Sequence, residues 1–184
     1  MTDQPDRRSA AQARADVEAR RAQDRAALDA AFADRFGDGR PGRSLVVLDA
    51  ASTALVTATA LLAVLQPRPF ELVYLTASLV AFVGGMLLFL LAMIRAAQRS
   101  RTDAIGIGGL FFLAGSAPKW ARQQLLGLLA AQVVVTITAA AVRPFTVLAF
   151  GTLVPLLGLG FCGWWSARFG VFGPRDSGDR RPGT

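Results

Sequence analysis

Two polar residues stand inside long apolar stretches of the sequence, and they have the clearest chemical potential. Asp49 follows the run "SLVVL", and Gln132 lies within "LLGLLAAQVVVTITAAAV". An acidic side chain inside a membrane span costs roughly 3 kcal/mol on insertion scales, so it usually faces a bundle interior or water. A span glutamine usually hydrogen-bonds to a neighbouring helix, which contributes about 1 kcal/mol. Asp49 and Gln132 are therefore the candidate intramembrane polar residues.

Each of these residues has two interpretations. Asp49 either lies near the interface and pairs with a cation, or it serves a proton- or cation-coupled process. Gln132 either bonds a neighbouring helix or contacts a substrate. Glu71, also in the apolar region, is expected to cap a helix or to pair with Arg68. The cations expected within reach of Asp49 are Arg43, Lys119 and Arg122.

The remaining composition argues against an enzyme. The chain has no His and one Cys, Cys162, which excludes Ser–His and Cys–His catalysis as well as His or multi-Cys metal sites. The sequence offers no paired carboxylates and no nucleophile beside a base. We therefore predict no catalytic residue, no metal site and no cofactor. A lipid-modifying membrane enzyme that uses isolated Asp and Arg residues stays open as an alternative.

The elements that must position Asp49 and Gln132 are transmembrane helices. The sequence is 53% hydrophobic and 18% charged, more apolar and less charged than soluble domains. A helix needs about 20 apolar residues to cross a bilayer. The pattern predicts an all-α membrane protein, a four-transmembrane-helix bundle that occupies residues 44–168. Its spans are expected at about 44–65, 70–94, 122–142 and 145–167.

A charged tail precedes the bundle. Residues 1–43 hold nine Arg and eight Asp or Glu, and residues 9–36 are rich in Ala and free of Gly and Pro, which favours an N-terminal cytoplasmic helix. The run "GDGRPGR" at 37–43 predicts a hinge. The tail helix is either fully solvated or binds a protein partner through residues 9–36. The basic C-terminal segment 169–184 is expected to be disordered.

The basic residues predict how the bundle is oriented. The tail, the connection 95–122 and the C-terminal segment from Arg168 carry 18 of the 20 basic residues, and the two opposite loops carry Arg68 and Arg143. Because basic residues are enriched in cytoplasmic segments, both termini are expected in the cytoplasm. The preference for Arg, Ala and Gly suggests a GC-rich bacterial genome, and hence the bacterial plasma membrane. The net charge of +7 lies at the membrane ends, so it does not indicate nucleic-acid binding.

A short apolar segment, residues 103–118, connects the second and third spans. The 13 residues from Ile105 to Ala117 are too few to cross a bilayer. We predict a cytoplasmic interfacial segment, and a shallow re-entrant loop is the alternative. The side chains expected to enter the acyl chains or to pack on the bundle are Ile105, Ile107, Leu110, Phe111 and Phe112.

Basic and aromatic residues mark the predicted membrane boundaries. Their side chains combine an apolar stem or ring with a polar end that reaches the lipid headgroups. The residues expected at the interface or in contact with lipid are Arg68, Arg95, Arg99, Arg101, Lys119, Trp120, Arg122 and Arg143.

The tripeptide "RPF" occurs at 68–70 and again at 143–145, an offset of 75 residues. At this offset Gly85 aligns with Gly160, and the two helical hairpins become parallel repeats. Few identical residues support the alignment, so duplication and chance both remain open.

Residues 108–160, "GGLFFLAGSAPKWARQQLLGLLAAQVVVTITAAAVRPFTVLAFGTLVPLLGLG", resemble small integral membrane proteins of actinobacteria whose activity is not known. The resemblance is one of general character and has no catalytic motif. It implies a four-span plasma-membrane protein.

Two functions fit these features. The first is a non-enzymatic scaffold or accessory subunit that binds a protein partner or anionic lipid at the cytoplasmic face. The second is a small oligomeric transporter or channel that uses Asp49 and Gln132. A homodimer is expected in the second case, because four spans enclose little space for a path.

Overall fold

The computed structural model describes residues 4–37 and 39–173, and these residues form helices without a β-strand. The helices are α1 (Gln4–Phe36), α2 (Arg43–Leu65), α3 (Pro67–Arg99), α4 (Ile107–Phe111), α5 (Lys119–Val142) and α6 (Pro155–Phe169). A 3-10 helix, Val147–Leu153, precedes α6. Four stretches of the described chain are long and apolar enough to cross a membrane: Arg43–Leu65, Pro67–Arg99, Lys119–Val142 and Val147–Phe169. The predicted all-α class and the four candidate spans are thereby confirmed.

The chain divides into two compact units between Gly39 and Arg40. The first unit contains α1, which ends where Gly37 takes a positive φ of 58°, a conformation that glycine adopts without steric cost. Residues 10–27 of this helix are exposed. The second unit contains the four candidate spans and the connection between α3 and α5.

The second unit has two ends, which we name by their connections. The connector end contains the first residues of α2 and α5 and the last residues of α3 and α6. The loop end contains the turns that join α2 to α3 and α5 to the 3-10 helix. At the connector end, Gly42 takes a φ of 72° directly before α2. The adjacent Pro41 carbonyl accepts a hydrogen bond from Trp165 Nε1 at 3.2 Å, so the end of the predicted hinge is fixed to α6.

The closest helix–helix approach joins α3 to α6. A Cβ added at Gly85 would lie 2.5 Å from the backbone nitrogen of Leu157, and one added at Gly160 would lie 2.8 Å from the carbonyl oxygen of Gly85. Glycine therefore permits backbone contact at this crossing, as small residues do between membrane helices. Gly85 and Gly160 are the residues that align at the 75-residue offset.

The fourth span is broken rather than continuous. Proline has no amide hydrogen and its ring collides with the carbonyl four residues earlier, so an α-helix cannot run through it unchanged. Accordingly the 3-10 helix ends at Leu153, and Pro155 is the first residue of α6. A proline inside the predicted span 145–167 is expected to kink the helix, and the structure has a change of helix type there. The corresponding helix of the first hairpin, α3, is continuous over 33 residues, so the proposed duplication stays a prediction.

The connection between α3 and α5 folds onto the bundle. Its α4 helix has five residues, and Leu110, Phe111 and Leu113 are buried. The Phe111 ring stacks on Phe89 with 4.7 Å between centroids. Phe89 lies six residues before Arg95, about 9 Å along α3, so the ring reaches the depth of the apolar part of that helix. Phe111 therefore packs against the apolar part of α3, and the interfacial segment and the re-entrant loop both stay predictions.

The other expected apolar contacts of this connection divide into two groups. Leu110 joins Phe111 against the bundle, while Ile107 and Phe112 are 75% and 53% exposed. Ile105 is half-buried and packs beside the same cluster. The outward side chains are the ones available to lipid.

Polar groups inside this connection are satisfied by the protein. The hydroxyls of Ser116 and Ser166 both donate to the Gly109 carbonyl, at 2.6 and 2.8 Å. The Ser116 carbonyl in turn accepts from the Val171 amide at 3.0 Å. Non-helical backbone at membrane depth requires such partners. Residues 170–173, expected in a disordered tail, are therefore part of this packed end, while residues 174–184 lie outside the described residues.

The α3–α6 crossing yields a matched pair of substitutions. Gly85→Ala should lower the free energy of unfolding by about 1–3 kcal/mol, because the new methyl group meets backbone atoms that cannot rotate away. Gly84→Ala should be neutral or mildly stabilising, since its Cβ would lie 3.7 Å from Leu157 Cδ1 and alanine favours helix. Thermal unfolding in mild detergent, followed by circular dichroism, compares the two. Equal melting temperatures for both variants would contradict this crossing.

Candidate functional site

Asp49 and Gln132 meet in the interior of the second unit. Asp49 lies six residues into α2 and Gln132 lies mid-way along α5, and these two helices pack against each other. Gln132 Nε2 donates to Asp49 Oδ1 at 3.0 Å. The two residues are 0% and 1% exposed. Gln132 thus makes the interhelical hydrogen bond that was one of its two interpretations.

Two threonines lie beside this pair, Thr53 on α2 and Thr136 on α5. Thr53 Oγ1 accepts from Gln132 Nε2 at 2.7 Å and donates to the Asp49 carbonyl at 2.8 Å. Thr136 Oγ1 donates to the Gln132 carbonyl at 2.8 Å. Both amide hydrogens of the Gln132 side chain therefore have acceptors on α2. Neither threonine was predicted as a site residue, although each follows its polar neighbour by four residues on the same helix face.

The third helix of the site is α6, which contributes Gly158. Gln132 Oε1 accepts from the Gly158 amide at 3.1 Å, in the first turn of α6, where helix amides are short of carbonyl partners. A Cβ at Gly158 would lie 2.7 Å from that same oxygen. Glycine is needed here because the amide side chain occupies the space beside the backbone. We call Asp49, Thr53, Gln132, Thr136 and Gly158 the polar cluster.

The chemical capacity of the polar cluster is narrow. Asp49 Oδ2 is buried and has no hydrogen-bond partner, so one carboxyl oxygen remains able to accept a proton, a donor or a cation. Within residues 4–37 and 39–173, no group of three or more His, Cys, Asp or Glu side chains is arranged to hold a metal ion. Asp49 and Gln132 are 0% and 1% exposed, and neither lines the groove between α2 and α3 or the one between α2 and α5. The cluster is thus sealed from the surface and bonds three helices together.

The predicted ion pairs of the acidic residues are replaced by other contacts. Asp49 bonds Gln132, and no described ion pair joins it to Arg43, Lys119 or Arg122, all of which are exposed. Glu71 pairs with Arg143 at 3.1 Å rather than with Arg68. This pair connects the beginning of α3 to the end of α5 at the loop end.

Arg99, expected at the interface or in contact with lipid, binds carbonyls of the protein at the connector end. Its guanidinium donates to the carbonyls of Ala167 and Gly170 at 2.9 and 3.2 Å. It also pairs with Asp103 at 2.8 Å and lies 5.3 Å from the Phe172 ring centre. A cation at the carbonyl end of a helix is favourable, so Arg99 caps α6 and ties it to α3.

The remaining boundary residues are at the surface or close to it. Trp120 is half-buried and meets Trp165 edge to face, with 6.2 Å between centroids. The exposed boundary residues are Arg68, Arg95, Arg101, Lys119 and Arg122. These five cations are available to lipid headgroups. Cys162 is buried and free.

Comparison with known proteins adds no relative. No family model, no curated protein and no solved structure matches the chain. The resemblance to actinobacterial membrane proteins therefore stays a prediction.

The bond between Gln132 and Gly158 can be tested with a double-mutant cycle. Gln132→Ala removes three hydrogen bonds to two other helices, α2 and α6, and should cost about 1–2 kcal/mol. Gly158→Ala should cost a similar amount, because the methyl group displaces the glutamine side chain. The double variant should cost less than the sum, with a coupling of about 1 kcal/mol, since the methyl group then fills the vacated space. Unfolding in detergent measures all three.

Gly127→Ala is the control for this cycle. It lies on α5 with no heavy atom within 4 Å of the added Cβ, so alanine there should leave stability unchanged or raise it. Strict additivity of the two site variants would show that Gln132 and Gly158 do not interact.

Proposed function

We propose that this protein is a non-enzymatic subunit or scaffold of the bacterial plasma membrane, with both termini in the cytoplasm. In this proposal the four spans anchor the chain, and the exposed tail helix and connector end bind a protein partner or anionic lipid. The observation that carries the proposal is that the polar cluster is buried and forms hydrogen bonds within the protein. Its hydrogen-bonding groups serve helix association, which is what a stable anchor requires.

The distribution of charge supports the proposed orientation. The described basic residues at the loop end are Arg68 and Arg143, and Arg143 is paired with Glu71. The basic residues at the connector end are Arg43, Arg95, Arg99, Arg101, Lys119, Arg122 and Arg168. Because basic residues close to span ends stay in the cytoplasm, the connector end is the cytoplasmic end of this proposal.

The tail helix supports the binding part of the proposal. Its residues 10–27 are exposed and carry charges of both signs, a surface typical of a solvated helix or of one that meets a charged partner. Phe32 and Phe36 contact each other with 4.8 Å between ring centroids. The exposed, charged residues 10–27 therefore form a long polar surface for binding, which the apolar spans of the second unit lack.

One observation favours a small transporter as the second candidate. Asp49 Oδ2 has no partner although it is buried, and intramembrane acidic groups of this kind occur in proton and ion pathways. This candidate requires the sealed cluster to open during transport. A second copy of the chain would then supply the walls that four spans lack.

Substitution of Asp49 by Asn separates the two candidates. Asparagine retains an oxygen that can accept from Gln132 but cannot exchange a proton. We expect purified protein in liposomes to give no proton flux (pH-sensitive dye) and no sodium flux (tracer uptake) above empty liposomes, for wild type and Asp49→Asn alike. Thermal unfolding checks that both variants are folded. If the wild type shows a flux that is lost in folded Asp49→Asn, the scaffold proposal is rejected and the transporter proposal is supported.

Photo-crosslinking tests the tail as a binding surface. A photoreactive amino acid at Val17, which is exposed on α1, should give a discrete protein adduct in living cells. The same residue at Leu61, exposed on the membrane face of α2, is the control and should give no such adduct. If neither Val17 nor neighbouring exposed positions such as Arg14 and Arg21 give an adduct, the tail is a solvated helix and the binding part of the proposal is rejected.

A further inference from the structure

A deep groove opens between α2 and α3 on the membrane face of the second unit. Its volume is about 920 Å³, and its floor is formed by Leu157 and Phe161 of α6. Along α3 it extends from Leu72 to Leu88, about 24 Å at 1.5 Å per residue. This length covers most of a hydrocarbon layer of about 30 Å.

The walls of the groove restrict what can fill it. The α2 wall contains Leu48, Leu55 and Val56, and the α3 wall contains Val73 and Val80, with small residues between them. An unfilled groove would leave these atoms without the dispersion contacts that a close-packed interior has. Within a membrane, a hydrocarbon chain or an apolar helix provides those contacts.

One cation lies on the same face of α3 as the groove. Leu87 lines the groove, and Leu91 and Arg95 follow it at intervals of four residues, so the three side chains lie on neighbouring turns of one face. Side chains on a helix lean toward its N-terminus, which brings Arg95 toward the groove. Arg68, beyond the other end of the groove, leans away from it.

The acidic residues of the second unit decide between lipid and a second copy. Residues 40–173 contain three acids, Asp49, Glu71 and Asp103. Glu71 and Asp103 are in ion pairs with arginines, and Asp49 is buried in the polar cluster. Among the described residues, no carboxylate lies within ion-pair distance of Arg95. The spans of a second copy would bring further arginines and no free acid to this face, because the other described acids of the chain lie in α1. An anionic phospholipid brings both the hydrocarbon and the missing negative charge.

We propose that the groove binds one anionic phospholipid, with an acyl chain against Leu157 and Phe161 and the phosphate at Arg95. The inference deepens the proposed function and rests on it, since it assigns a site to the anionic lipid. Electrostatic attraction of a single arginine to an anionic headgroup corresponds to an affinity gain of about fivefold.

Native mass spectrometry of the full-length protein tests this site. The probes are phosphatidylglycerol and phosphatidylcholine with identical acyl chains, each titrated into protein released from detergent. Wild type should bind one phosphatidylglycerol about fivefold more tightly than phosphatidylcholine. Arg95→Gln should reduce phosphatidylglycerol binding to the phosphatidylcholine level, and Arg95→Lys should retain the preference. Arg68→Gln, which removes an exposed cation of the opposite end, should leave the preference unchanged.

A second set of variants tests the groove itself. Ala77→Phe fills it and should weaken the binding of both lipids, as should Val80→Trp at its rim if the first variant does not fold. Ala54→Phe is the matched control, because Ala54 is exposed on α2 and outside the groove. Unchanged lipid binding in folded groove variants would overturn the proposal.

Other results would overturn the proposal in recognisable ways. Loss of the lipid preference in Arg68→Gln instead of Arg95→Gln would refute the assigned headgroup position. A change in the dimer fraction of Ala77→Phe without a change in lipid binding would assign the groove to a second copy. Absence of the lipid preference while the Val17 adduct persists would reject the lipid site and leave the proposed function. Lipid binding at Arg95 without any Val17 adduct would retain the site and reject the tail as a partner surface.

Discussion

Polar groups buried between membrane helices must find their partners inside the protein, and Gln132 satisfies this constraint for three helices at once. Its amide donates to Asp49 and Thr53 of α2, and its carbonyl accepts from Gly158 of α6. Water is not available as a substitute partner in hydrocarbon. The rotation of α2, α5 and α6 about their axes is therefore set by one side chain. The absence of a side chain at Gly158 is part of the same arrangement, because it gives the amide room to reach the backbone.

The spans could be predicted because length and apolar composition dictate them. Four apolar stretches of about 20 residues have few alternatives to crossing a bilayer, and the structure has helices at all four. The outer bounds were less predictable. The α3 helix continues to Arg99, since Arg, Ala and Gln favour helix beyond the hydrocarbon as well as within it. The course of residues 103–118 depends on contacts with Phe89 and Ser166, which lie on other elements and leave no periodic pattern.

The sequence predicted Asp49 and Gln132 as candidate site residues but did not predict that they bond each other. Asp49 and Gln132 stand out because polar residues are rare in apolar runs. Their mutual bond spans 83 residues of sequence, and nothing in the spacing favours it over an ion pair between Asp49 and a nearby arginine. Gly158 carries no polar side chain at all, so its part in the site follows from the packing of α6. The protein contacts of Arg99 could not be predicted for a similar reason, since the carbonyls it binds lie at the end of the last helix, 68 and 71 residues later.

The separation of these partners along the chain has a consequence for biosynthesis. At about 5–20 residues per second, the 83 residues between Asp49 and Gln132 take roughly 4–17 seconds to be translated. The carbonyls that Arg99 binds belong to Ala167 and Gly170, which are 68 and 71 positions later in the sequence. During this interval the Asp49 carboxyl group has no Gln132 partner, and the Arg99 guanidinium lacks the α6 carbonyls that it binds in the folded protein. The first hairpin therefore gains these contacts only after the second hairpin has been synthesised.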